Sequence, residues 1–253
     1  MIASAESFLL VPYLTKLLTG KTFPLEYLHI AHGLIVLFIL LVFSLLYRFS
    51  LKKTDDEIIP NGKVNLKNIF QVAVEQLLDL MNSIIPHHAQ DYFPLIGTIF
   101  IYIFISNLMG IIPGFLPPTE NVNTNFAVAI TVFVYYNYIG FSRTGFKNYI
   151  QHFIGPSLGS SIGMILFRVL FMAPLLFLIE VVGHFMRPVS LSFRLFGNIY
   201  GDHMVLSTFS DMAPILVPVI FLGFGIFVSF IQAFVFTLLS TVYIGLAVEV
   251  HDH

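Results

Sequence analysis

The stretch RPVSLSFRLFGNIYGDH, residues 187–203, sets an arginine, Arg194, inside sequence that is otherwise mostly apolar. The segments on either side, 163–179 and 214–248, are apolar enough to lie in lipid. A guanidinium stays charged at any workable pH because its pKa lies above ~12. Holding one near the centre of a bilayer costs ~2.5–3.5 kcal/mol on insertion scales. The arginine therefore points to an ion pathway or to a carboxylate partner within a membrane-embedded helical fold.

Composition agrees. The chain has 253 residues, of which 57% are hydrophobic and 10% charged. A soluble domain is about one quarter charged. Several apolar runs approach the ~20 residues that span hydrocarbon as a helix. The chain lacks cysteine, which excludes a disulfide framework and any thiolate metal site. No basic tract points to nucleic acid. The first residues carry Glu6 and Lys16 without the basic start, apolar core and small-residue site of a signal peptide, so the segment is expected to be retained.

Hydrophobic pattern divides the chain into an N-terminal extramembrane segment, 1–28, and a single membrane domain, 29–253. Spans are expected at 29–48, 92–112, 125–142, 163–205 and 214–248. Between the first two, residues 64–85 place Leu66, Phe70, Val74, Leu77, Leu78 and Met81 at helical spacing among Lys67, Gln71, Glu75 and Asp79. That pattern suits an amphipathic helix in the interface, broken after it by Pro86. The last two apolar stretches would each be ~50 Å long as continuous helices, more than the ~30 Å hydrocarbon core, so they must tilt, kink or project. The fold class is thus an all-α polytopic membrane protein of about five transmembrane helices plus an amphipathic interfacial helix, the last two helices long and tilted. Arg48, Lys52, Lys53, Lys63 and Lys67 fall on one side and Arg143 and Lys147 on the same side, while 113–124 has no basic residue. The positive-inside rule then sets the N-terminus outside and the C-terminus in the cytoplasm.

Glu180, Arg187 and Arg194 recur every seven residues and share one helix face with slight drift. Glu180 and Arg194 would stand ~21 Å apart along the axis, too far to pair. Glu180 and Arg187 either line a water-accessible route or snorkel at the interface. Asn198 follows Arg194 by one turn, and Gly197 and Gly201 form a small-xxx-small pair that admits a close helix backbone. Asp202 and His203 come nearer the outer end, with His203 turned about 180° from Arg194. Its imidazole either passes protons or is a hydrogen-bonded structural residue. Gln232 in the last helix and Asn107 in the second span are too polar to face lipid comfortably; interhelical hydrogen bonds are the plain alternative. The histidines include His29, His32, His87 and His88 but no HExxH, and the chain has no GxSxG and no phosphate-binding glycine loop. A membrane-embedded enzyme is disfavoured, and no cofactor is expected.

The stretch PVSLSFRLFGNIYGDH at 188–203 resembles the signature of subunit a of the F-type ATP synthase. The segment PLIGTIFIYIFISNLMGIIPG at 94–114 resembles that family's second-span motif. PTENVN at 118–123, HFIGP at 152–156 and IQAFVFTLLSTVYI at 231–244 are similar as well, so the likeness runs from about 60 to 250. It implies a non-catalytic stator subunit that gives protons two half-channels to and from carboxylates on a rotating c-ring. The implied partners are c-ring subunits, peripheral-stalk b subunits, other ATP synthase subunits and the lipid bilayer, and the implied location is a bacterial inner membrane. By the same resemblance Arg194 separates the half-channels, Glu180 belongs to the cytoplasmic one and His203 to the outer one, with Asn198 and Gln232 beside the arginine. His203 favours protons over sodium. Where the family has histidine at this position, an acidic residue stands in the last helix seven residues before the glutamine, and here that position is Gly225. Asp202, Glu120 or water are the candidates to replace it. A stand-alone secondary transporter with Arg194 binding an anionic substrate at the midplane is the competing reading.

Overall fold

A computed structural model describes residues 11–12, 24, 27–51, 66–86, 88–112, 114–145, 173–210 and 216–248. The described elements are helices α1 (Leu28–Leu51), α2 (Leu66–Ile84), α3 (Ala89–Met109), α4 (Val122–Thr144), α5 (Ala173–Ser210) and α6 (Leu216–Val248), with a 3₁₀ turn at Pro118–Glu120. Among the described residues there is no strand. The all-helical class expected from the sequence therefore holds. Most of the N-terminal segment, residues 163–172 of the expected fourth span, HFIGP at 152–156 and the extreme C-terminus lie outside the described residues.

Among the described residues, four helices are long and apolar enough to cross a membrane: Leu28–Leu46, Ala89–Met109, Pro174–Leu206 and Val219–Val248. Helix α4, interrupted by Asn123, Asn125 and Asn137, falls short of that apolarity although it is packed among them. α4 begins at Val122, three residues before the expected start, because the Asn121 side chain accepts the Asn123 backbone N–H at 2.9 Å. This cap satisfies an amide that would otherwise be orphaned at the helix start. The helix ends at Gly145, whose φ of 75° only glycine adopts freely.

The core forms where residues three and four apart meet between helices. α3 supplies Tyr92, Ile96, Ile99 and Ile103; α4 supplies Ala129, Val132, Tyr136 and Ile139; α6 supplies Ala233, Phe236, Ile244 and Ala247. α5 adds Leu191 and Leu195 to this core, and buries Pro188 and Ile199 on the same side. Phe230 of α6 meets Phe100 and Phe104 of α3 edge-on, at centroid distances of 6.1 and 6.2 Å. α2 packs its Leu77 and Met81 inward and leaves Glu75 and Asp79 exposed, which is the amphipathic arrangement expected. By contrast α1 exposes Leu34, Leu37, Phe38, Leu41 and Leu46, and α6 exposes Val219, Ile220 and Phe227. In water such surfaces would be an aggregation liability. In lipid they are the solvated faces.

α5 has 38 residues and α6 has 33, so they reach about 57 and 50 Å at ~1.5 Å per residue. Both outrun a hydrocarbon core of ~30 Å. α5 continues to Ser210, five residues beyond the end of the fourth span expected at 205. Apolar Met204, Val205 and Phe209 carry the helix past Asp202 and His203.

Candidate functional site

α5 sorts its polar residues into three levels along one helix. At the level of Arg194 the side chain is exposed, and the glycines around it are open. A Cβ built at Gly197 or Gly201 would meet nothing within 4 Å. The small-xxx-small pair therefore receives no helix of the described residues. Among the described residues no carboxylate pairs with Arg194. Asn198, one turn further, donates from its amide to Gln232 Oε1 on α6. Gln232 is 3% exposed. This pair ties α5 to α6 beside the arginine, so Asn198 bonds Gln232 where the sequence also allowed it to bond the guanidinium.

Nine positions beyond Arg194, about 13 Å along the axis, the second level opens into a half-open cavity of about 70 Å³. Asn107, Asp202, His203, Gly225 and Ser229 are among its walls. His203 Nδ1 lies 3.3 Å from Glu120 Oε2, with both side chains just under a third exposed. The turn that carries Glu120 is fixed from several directions. Thr119 Oγ1 donates to Asn107 Oδ1 at 2.7 Å, and Asn125 Nδ2 donates to the Thr119 carbonyl at 2.7 Å. Pro117 closes over Gly110, where an added Cβ would stand 2.8 Å from the ring Cγ. Only a hydrogen at position 110 lets the turn sit there. Asn107 is thus both a wall of the cavity and an anchor of the turn.

The third level lies toward the start of α5. Arg187 Nη2 is 3.6 Å from Glu180 Oε1, and its guanidinium rests over the Tyr243 ring of α6 at 5.2 Å. The seven-residue spacing thus brings Glu180 and Arg187 together while leaving Arg194 apart. His184, buried between them, shares its Nε2 with Asn137 Oδ1 of α4 at 2.9 Å. Sequence reasoning passed over His184 and Tyr243. A lone histidine one turn after Glu180 in an apolar run was the available signal for the first.

One long helix thus carries an exposed arginine flanked by two polar clusters. The profile of the ATP synthase A chain matches residues 31–245. The chain belongs to the ATP synthase A chain family. ATP synthase subunit a of Bdellovibrio bacteriovorus is 43% identical over 206 residues, covering 81% of this chain and 84% of that protein. The subunit a of Geotalea uraniireducens is 42% identical over 220 residues, 87% of each chain. That of Trichlorobacter lovleyi is 44% identical over 214 residues, 85% of this chain and 84% of its own length. Members of the ATP synthase A chain family are membrane-sector stator subunits of ATP synthase, and the catalytic activity of that complex sits on other subunits. ATP synthesis, proton transport and transmembrane helices go with that membership.

Proposed function

We propose that this chain conducts protons through two half-channels that meet a rotating ring of carboxylate-bearing subunits at Arg194. The observation that carries the reading is Arg194 itself: a permanent charge exposed on an apolar helix surface, beside glycines that nothing in the described chain covers. Left against lipid it would cost ~2.5–3.5 kcal/mol or more. A carboxylate arriving on another chain removes that cost by pairing with it, and the glycines allow the backbone carrying it to come close. Because the guanidinium cannot lose its proton, it draws each passing carboxylate into its ionised form and leaves no site for a proton to hop straight past.

The two polar levels supply the ways in and out. The cavity with Asn107, Asp202 and His203 serves the outer half-channel, and Glu180 with Arg187 serves the cytoplasmic one. Asn198 and Gln232 hold α5 and α6 in register next to the arginine. Five helices, α1 and α3 to α6, span a bacterial inner membrane, with α2 in the interface. The N-terminus is outside and the C-terminus cytoplasmic, as the loop charges require. The ring subunits face α5 and α6, peripheral-stalk b subunits and lipid take the remaining apolar faces, and the chain itself is not an enzyme.

The docking half of this reading is tested by cross-linking. The chain has no cysteine, so Gly201→Cys introduces one reactive thiol. Paired with single cysteines along the ring subunit's carboxylate helix in the assembled synthase, it should trap a product of this chain with that subunit. A thiol at 201 that reacts with every assembled partner except the ring subunit would refute the docking face.

A further inference from the structure

The wall of the outer cavity contributed by α6 carries no carboxylate: Gly225 offers only hydrogen. Among the described residues the carboxylate that touches His203 comes from the opposite direction, from the 3₁₀ turn between α3 and α4. We propose that Glu120 is a proton-carrying residue of this chain, exchanging protons with His203 as the outermost step of the outer half-channel; this rests on the half-channel reading above.

The geometry supports a relay over a simple surface pair. The turn is rigid: Pro117 and Pro118 fix its backbone, the Glu120 N–H bonds the Pro117 carbonyl at 3.0 Å, and Thr119 is tied to Asn107 and Asn125. An acidic side chain on a mobile loop would spread over many rotamers, whereas this one is held with Oε2 facing one ring nitrogen. Both groups are part-buried, so water reaches them while neither is fully hydrated. The groups that surround the imidazole are few. Glu120 faces it from the turn, Asp202 neighbours it on α5, and α3 and α6 contribute Asn107, Ser229 and Gly225 to the same cavity, none of which titrates in the working range. Asp202 follows the helix 100° away from His203, so the two project differently from α5.

The step balances as a proton transfer. The protonated Glu120 carboxyl donates to the neutral His203 ring at Nδ1, leaving a carboxylate. The imidazolium then releases its Nε2 proton toward the ring side, and the imidazole is neutral again with the other tautomer, reset by a ring flip. Glu120 recovers a proton from the outer water. One proton crosses per cycle and no other reactant is consumed.

Passive proton conduction by the membrane sector, with the catalytic sector stripped from inverted vesicles, isolates this step. Glu120→Gln keeps the size of the side chain and removes its titration. It should slow conduction about 10²-fold, the lower end of what a positioned proton-transfer group contributes, in complexes that co-purify intact. The exchanged pair Glu120→His with His203→Glu should conduct faster than either of those single variants, which a purely structural role for the turn would not produce. Glu120→Gln conducting at the parental rate, or an exchanged pair no faster than its singles in assembled complexes, overturns the proposal. Arg194→Ala, measured alongside by ATP-driven acidification in vesicles that keep the catalytic sector, separates the failures. If it loses pumping while Glu120→Gln conducts at the parental rate, the relay falls and the half-channel reading stands.

Discussion

In the proposed reading, Arg194 is a permanent, exposed cation that meets an anion from another chain. Lysine would keep the sign but give up the planar, always-charged group. Arg194→Lys is therefore expected to assemble and to pump poorly, measured as ATP-driven quenching of a pH dye in inverted vesicles. The neighbouring amides behave differently. Asn198→Ala would strand Gln232, which is buried, and an unsatisfied buried polar group costs about 1–3 kcal/mol. The expected result is a lower unfolding temperature of the detergent-solubilised complex. Asn198→Asp, which keeps an oxygen in place but not the amide donor, should not restore it.

Between elements, the turn that carries Glu120 includes one very close contact. Gly110→Ala would set a methyl 2.8 Å from Pro117 Cγ, and a proline ring cannot swing aside as a flexible chain can. Overpacking of this kind costs about 1–3 kcal/mol. The turn would move, and with it Glu120. Gly110→Ala should lower both thermal stability and proton conduction, whereas Gly225→Ala, whose methyl would stand at an ordinary 3.5 Å from Ile111, should leave stability near parental. Reading the sequence exposed some of these elements and hid others. The amphipathic α2 was legible because Leu77 and Met81 keep helical spacing against Glu75 and Asp79, and burial follows that face. The start of α4 was placed at 125, three residues late, because the continuous apolar run begins only at Phe126, while Asn121 in fact caps the helix. The Glu120–His203 contact was one of several open possibilities, since loop placement is set by tertiary contacts at Gly110, Asn107 and Asn125 that have no local signal. His184 was missed for the same reason: its partner Asn137 lies on another helix.

For the whole molecule, the apolar residues show what the chain is dissolved in, and the open glycines beside Arg194 are where the proposed ring would dock. α1 and the outer faces of α5 and α6 expose large hydrophobic side chains that lipid covers. The patch around Arg194, Gly197 and Gly201 differs by carrying a charge beside two open glycines. A Cβ at Gly201 would meet nothing inside the described chain, so Gly201→Leu should insert and fold as the parent does, yet it should block the ring. The check is co-purification: the variant chain present in membranes at parental level, with the ring subunit absent or reduced in the isolated complex. The family and the helical class were readable from the sequence because the RLFGN stretch and the apolar runs are local. The division of α5 into three levels was only partly readable, because periodicity aligned Glu180, Arg187 and Arg194 without telling which of them pair.

The claim on which the rest depends is that Arg194 keeps the two half-channels apart while it engages the ring. ATP-driven acidification of inverted vesicles bearing Arg194→Ala, with assembly verified by co-purification of the ring and the catalytic sector, tests it directly. Pumping should fall to background in a complex that still assembles. Acidification near the parental rate would contradict the account.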